Sequence, residues 1–317
     1  MANLVRRKIK GKSYFYLERN VRIGRRVKSF SEYLGAKKPG REDFPALEKR
    51  LDRKIRDFYK TKLIKPGTQF IGLKTAKGLE RIKQETANFI AGLNERQKKE
   101  WIEAEREKFI TNTNAIEGST LTLDETRRIL RLNEKLGSEQ ERLEVLNMER
   151  CLGQYDKLIA GKANLDEKMI LQLHCILLNK IPGYDKYKGI WRPVDVYIKT
   201  SGFDFPRYHL VPNLMKKLID WHNKNKGLMH EVELAAKFHT KFVIIHPFAD
   251  GNGRIARLLM NYILQSGEFP FTNIPTEKRL EYFATQEKGH TGQFKEFTAF
   301  LAKQMRENYK GLKKQRK

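Results

Sequence analysis

Apolar residues recur at helical spacing through most of this chain. The pattern predicts helices over residues 43–62 and 77–93 and a long charged one over 94–113. Further helices are predicted over 122–136, 139–160, 166–178, 212–224, 232–245, 254–266, 276–288 and 293–308. Several carry start signals, such as Thr122 ahead of an acidic first turn and Asn164 and Asp166 ahead of the next apolar stripe. Two stretches leave the pattern. Residues 13–17 and 21–30 are β-like, with Tyr14, Phe15 and Tyr16 among them, and predict a small basic hairpin ending at Tyr33, Leu34 and Gly35. In residues 189–202, Val194, Val196 and Ile198 alternate with Asp195, Tyr197 and Lys199, a period of two that predicts a second short β-hairpin. Residues 36–40 read as a linker, and there is no internal repeat. The fold class is mainly α: a helical bundle interrupted by a hairpin and preceded by a small basic module.

Composition changes this picture little. The 317 residues are 39% hydrophobic, enough for a buried core of one large domain with a smaller attachment. Cys151 and Cys175 are too few for a disulfide framework and lack metal-site spacing, and no apolar run reaches the roughly 18 residues of a membrane span. With no secretory signature at the start, a cytoplasmic protein without membrane association is expected. Charge says more. The net charge is +26, of which residues 1–40 carry +10 and residues 301–317 carry +6. Such a balance suits nucleic acid or other anionic partners, and equally a solvated basic face.

The chemistry concentrates in residues 246–257, His-Pro-Phe-Ala-Asp-Gly-Asn-Gly-Arg-Ile-Ala-Arg. Pro247 ends the helix before it, which leaves His246 at a helix–loop junction with an imidazole suited to accepting a hydroxyl proton near neutral pH. Gly251 and Gly253 let backbone N–H groups approach an anion, at the N-terminus of the next helix. Asp250 is a hard oxygen ligand for Mg²⁺ held together with phosphates. Arg254 and Arg257, three apart on one helix, can both reach a polyphosphate. Together these supply what attack of a hydroxyl on a phosphoryl group requires.

These twelve residues match every fixed position of the Fic motif, His-x-Phe-x-(Asp/Glu)-Gly-Asn-Gly-Arg-x-x-Arg, and the chain resembles that family over about residues 100–305. The resemblance implies a Fic-type helical bundle and a protein adenylyltransferase, which transfers AMP from ATP to a Ser, Thr or Tyr hydroxyl of a target protein. It implies His246 as general base, Phe248 as the loop's anchor and Asp250 as the Mg²⁺ ligand. Gly251, Asn252 and Gly253 cradle the α-phosphate, Arg254 takes the β-phosphate, Arg257 the γ-phosphate, and Asn261 faces the adenosine. Residues 189–198 resemble the family's flap, with Val196 and Ile198 as target contacts through strand addition. Gly253, where the phosphotransferase branch has Lys, favours nucleotidyl transfer; the motif alone leaves the phosphocholine-transfer branch open.

Residues Thr113 to Gly118, Thr-Asn-Ala-Ile-Glu-Gly, resemble the family's inhibitory motif, (Ser/Thr)-x-x-x-Glu-(Gly/Asn). This implies that Glu117 occupies Arg257 where the γ-phosphate belongs. In some relatives the same Glu also removes AMP, and relatives with this brake often dimerise. The organisation expected is a basic hairpin-like segment over 1–40, a helical linker region over 41–100, an inhibitory helix region over 101–135, the catalytic domain over 136–310 and a basic tail over 311–317. The rival reading is a regulator on the Fic scaffold whose N-terminal module binds nucleic acid. A phosphate loop at Gly11, Lys12 and Ser13 fails because its leading glycine would fall on Arg6. A zinc site fails because His239 and His246 stand seven apart with no third ligand. The built-in brake argues against a toxin that needs a separate antitoxin.

Overall fold

The computed structural model describes residues 2–23, 26–197 and 203–314. Near the N-terminus, β1 (Asn3–Ile9), β2 (Lys12–Ile23) and β3 (Arg26–Gly35) form an antiparallel sheet in the order β1-β2-β3. The expected hairpin thus gains a strand. Lys10 and Gly11 both have positive φ (48° and 78°), the two-residue turn that matches strand twist, so the polar run 3–9 folds back and pairs Val5 with Tyr16 and Arg7 with Tyr14. Glu18 to Asn20, expected as a turn, lie within β2. The helix α1 (Phe44–Leu63) packs on one face, where Leu17 and Phe30 meet Leu51 and Ile55 in a small separate core.

The main body is helical: α2 (Leu73–Ala91), α3 (Glu95–Ile116), α4 (Leu123–Leu132), α5 (Glu139–Ala160), α6 (Glu167–Leu177), α7 (Val211–Asn225), α8 (Glu231–Ile245), α9 (Asn252–Ser266), α10 (Arg279–His290) and α11 (Phe294–Lys314). Capping boxes at Asn94, Thr122 and Ser138 fix three starts. One core runs from Ile71 to Met305 and centres on α8 and α9, which are buried on nearly every side. α2 contributes Ala76 and Leu79 to that core, so residues 41–100 are not a mere linker, and the expected boundary at 100/101 falls inside α3. The Glu233 carboxylate on α8 accepts the N–H groups of Gln69, Phe70 and Ile71, tying the segment before α2 to α8. No described helix is long and apolar enough to cross a membrane.

The second expected hairpin differs too. Residues 191–197 form no strand, and Ile198 lies outside the described residues. Buried Arg192 takes up the local carbonyls that a strand ladder would need, donating to Val194 O at 2.9 Å and to Pro206 O.

Candidate active site

α8 ends in an αL residue, His246 (φ 50°), whose N–H donates to Phe242 O at 3.0 Å. The chain then turns through Phe248, fully buried, and re-enters a helix at Gly251 (φ 79°), the N-cap of α9. A Cβ at Gly251 would crowd Leu177 and force a strained φ, so glycine is required there. α9 begins at Asn252, two residues before the expected start. Ile255 N–H is the first in the helix to find a carbonyl, Gly251 O at 3.0 Å, so the N–H groups of Asn252, Gly253 and Arg254 point out of the helix end without intrahelical partners. That end is an anion site in position and polarity.

The loop is pinned from inside. Asn252 is expected in the phosphate cradle. Its side chain is held in the loop, Oδ1 accepting from Phe248 N–H (2.9 Å) and Nδ2 donating to Phe248 O (2.8 Å), so its backbone is what faces the anion site. Asn261 is expected to face adenosine. It is fully buried and spent on structure: Nδ2 donates to Arg257 O and Thr272 O, and Oδ1 accepts from Thr272 N–H at 2.7 Å. It clamps α9 to the 270–274 segment and is not a nucleotide contact. His174 on α6, which the sequence pattern does not single out, stacks on Phe248 (3.6 Å, 9°). Its Nδ1 accepts from Gly189 N–H, so its Nε2 carries the proton and donates to Asp250 O at 3.1 Å. Its one signal is a polar residue on the apolar stripe of Ile170, Leu173 and Leu177.

Arg254 is buried and forms ion pairs with Asp250 (2.8 Å) and with Glu144 of α5 (3.3 Å), a partner that only the fold reveals. Arg257 is buried further, and four hydrogen bonds engage its three nitrogens. Nε binds Thr113 Oγ1 (2.8 Å), Nη1 binds Tyr282 Oη (3.3 Å), and Nη2 binds both Thr113 O (2.9 Å) and Glu117 Oε1 (2.7 Å). Tyr282 continues the chain to His239 Nε2 at 3.0 Å. Thus Thr113 and Glu117, at the C-terminal end of α3, meet Arg257 across 140 residues or more of sequence. A Cβ on Gly253 would collide with Glu117 Oε1, so the carboxylate lies directly against the helix N-terminus. Burial would raise the Glu117 pKa, but Arg257, with Arg254 and Arg279 behind it, brings it below the ordinary value. A third of the side chain still reaches solvent, which also favours the charged form. Glu117 is therefore a carboxylate at neutral pH.

Gly118, the last residue of the segment from Thr113, is not among the hydrogen-bond partners of Arg257. It is exposed, its φ is 114°, and its N–H donates back to Ala115 O at 3.1 Å. A Cβ there would meet open space, so the requirement for glycine is conformational rather than steric. Gly118 turns the chain out of α3 just after Glu117, in the left-handed conformation common past a helix end. It ends the helix where Glu117 faces Arg257; Thr113 and Glu117 supply the hydrogen bonds from this segment to Arg257.

Burial, and next the charge of Arg192, lower the His246 pKa from 6.5 to about 4. The imidazole is neutral across physiological pH, the state a base needs. Phe205 lies against it, rings 4.2 Å apart, and Phe203 in turn covers His290 (3.7 Å). Burial likewise lowers His174 and His230 to about 4 and His239 to about 3. The folded state refuses these protons while the unfolded chain takes them near 6.5, so stability present above that value is lost as pH falls toward 4. Glu80 and Glu149, raised by burial, oppose this only in part. We expect the Tm to fall steeply from about pH 6.5 to about pH 4 in scanning calorimetry; a flat Tm across that window would contradict the neutral buried histidines.

Among the described residues no cluster of three or more His, Cys, Asp or Glu could hold a metal. Asp250 offers one partly exposed carboxylate whose Oδ2 is shared with Arg254. That donor set fits a Mg²⁺ held mostly by phosphate oxygens.

Residues 164–264 match the model of the Fic/DOC family. The chain is 33% identical over 200 residues to protein adenylyltransferase fic-1 of Caenorhabditis elegans, covering 62% of this chain, and 33% identical over 196 residues to protein adenylyltransferase Fic of Drosophila ananassae, covering 61%. It spans 39% of the length of each of these relatives. A solved structure of Fic-1 from Caenorhabditis elegans superposes with a TM-score of 0.64 at 27% identity, over 88% of this chain and 80% of that one. A Fic domain-containing signalling protein from Bacteroides thetaiotaomicron superposes with a TM-score of 0.65 at 26% identity, over 74% of this chain and 94% of that one. The chain therefore carries a domain of the Fic/DOC family, built around the loop that joins α8 to α9.

Proposed function

We propose that this protein is an adenylyltransferase that moves AMP from ATP to a Ser, Thr or Tyr hydroxyl of a target protein and rests in an inhibited state. The observation that carries this reading is the Arg257–Glu117–Thr113 junction at the mouth of the α9 anion site. The outward N–H groups of residues 252–254 would hold the α-phosphate and Arg254 the β-phosphate, once its pairing with Asp250 and Glu144 loosens. Asp250 would hold Mg²⁺, which when bound neutralises phosphate charge. His246 takes the proton of the attacking hydroxyl, and the hydroxyl oxygen bonds to the α-phosphorus as pyrophosphate leaves. Arg257 would receive the γ-phosphate, but Glu117 occupies it. The same carboxylate, beside the loop, is placed to orient water for removal of AMP. Val196, partly buried in the 191–197 segment, would contact the target.

ATP labelled at the α-phosphate should transfer label to protein, whereas ATP labelled at the γ-phosphate should transfer none. Incorporation of γ-label would replace this reading with phosphotransfer. The motif leaves choline-phosphate donors as a further arm of the same assay.

A second activity is favoured by one surface. On the sheet face away from α1, Tyr33 lies 5.4 Å from Tyr16 and 6.0 Å from Tyr14, with Arg7 stacked 4.8 Å over Tyr16 and Tyr33 57% exposed. An exposed Tyr33 ring beside half-buried Tyr14 and Tyr16, in a segment of charge +10, suits nucleic acid. The full chain should bind a labelled oligonucleotide with affinity falling linearly in log–log salt, and Tyr33→Ala should weaken it about fivefold or more. No binding at low salt would dismiss this activity and leave the enzyme untouched.

A further inference from the structure

One buried side chain outside the motif joins the base to the chain segment beside it. Arg192 is 2% exposed and pairs at 3.6 Å with Asp195 Oδ1, a carboxylate that also takes Arg207 and the Tyr208 N–H. Its guanidinium is spent on carbonyls. Nε donates to His246 O (2.8 Å), Nη1 to Val194 O (2.9 Å) and Nη2 to Pro206 O. Its own N–H donates to Pro247 O at 2.9 Å. One rigid fork therefore fixes three places at once: the backbone of the base, and the chain on both sides of the 195–205 segment. Phe205, adjacent to Pro206, lies against the His246 ring. A planar five-donor group can serve three carbonyls set at these angles; an ammonium on the same stem cannot.

We propose that Arg192 is a positioning residue that sets the distance and angle between His246 and the acceptor hydroxyl, by holding the 193–197 and 203–206 backbone to the His246 carbonyl. This rests on the adenylyltransferase reading above. The hydrogen bonds of Arg192 go to none of the nucleotide-binding residues, so it acts on the acceptor half of the reaction alone. It also has an electrostatic signature. The charges around His246 are Arg192, Glu117 and His290, and Arg192 is the strongest that holds the imidazole neutral. A lysine keeps that charge and loses the fork; a glutamine loses both.

The test uses the full chain carrying Glu117→Gly, with α-labelled ATP and the protein's own hydroxyls as acceptors. Arg192→Lys should cut the labelling rate about 30-fold or more, leave the KM for ATP within about twofold and leave the acid limb of the pH–rate profile in place. Arg192→Gln should cut the rate as far and move that limb to higher pH. Hydrogen exchange of peptides covering 193–197 and 203–206 should quicken in Arg192→Lys while α8 and α9 stay protected. Full labelling by Arg192→Lys would overturn the proposal, and so would unchanged exchange at those peptides. If the Glu117→Gly parent takes up no label, the adenylyltransferase reading fails on its own, and the exchange result still decides whether Arg192 holds this segment to the base.

Discussion

Replacing Glu117 with glycine is expected to raise self-labelling from α-labelled ATP by on the order of 10²–10³-fold. The carboxylate is ionised at neutral pH because Arg257 and its basic neighbours outweigh burial and hold its pKa down. A γ-phosphate brought toward Arg257 would meet it at close range. Two unit charges ~4 Å apart repel by about 4 kcal/mol at an effective dielectric of 20, roughly three decades. The junction also withholds Arg257 itself, since Glu117 and Thr113 take three of its hydrogen bonds. Glycine removes the charge and frees the one Arg257 bond that Glu117 holds, leaving the two to Thr113, and the αR backbone at Glu117 (φ −87°) tolerates it without strain. Glu117→Gln separates them: it removes the charge but keeps the bulk against Gly253, so its gain should be smaller. Equal labelling by wild type and Glu117→Gly would eliminate the brake.

In the Glu117→Gly background, His246→Ala should lower labelling by about 10²–10⁴-fold, the usual worth of a positioned base. ATP affinity should persist, because the anion site belongs to α9 and the His246 side chain holds no part of the loop. Its N–H bond to Phe242 O is backbone and survives truncation. A titration with a non-hydrolysable ATP analogue alongside the rate assay checks both halves. Lost binding would make His246 a structural residue; retained labelling would place the base elsewhere. Because the imidazole titrates near 4, the parent's rate should be flat in this group from about pH 6 to 8.

The helices are legible because each exposes one face and buries another, which writes a 3.6-residue period into the sequence. The motif is legible because an anion cradle, a metal carboxylate and a base at a helix end are all local: residues 246–254 are contiguous, and their geometry follows from two glycines and a helix N-terminus. The pairing of Glu117 with Arg257 is legible only through resemblance. No local rule connects Glu117 with Arg257, and none separates Glu117, which meets the arginine, from Gly118, which only ends the helix.

The departures follow the same line. Asn252 and Asn261 have the chemistry of ligand groups, but both are consumed by backbone partners, Phe248 and Thr272, that the sequence cannot place beside them. Val194 and Val196 keep a strand's period, yet Arg192 satisfies carbonyls there and the ladder does not form among the described residues. The first strand is hidden in the sequence because residues 3–9 are too polar to show a buried face; the turn at Lys10 and Gly11 recruits them.

The sequence by itself determined the helical class, the loop with its helix N-terminus and the imidazole at its start, because these depend on residues within a few turns of one another. The tertiary structure alone decided how Thr113, Glu117 and Tyr282 share Arg257 and what fixes the motif loop from inside. It also decided which buried histidines stay neutral and how Arg192 fastens the base to its neighbouring segment. Those depend on burial and on partners tens or hundreds of residues away, and desolvation and hydrogen-bond geometry exist only once the helices have packed.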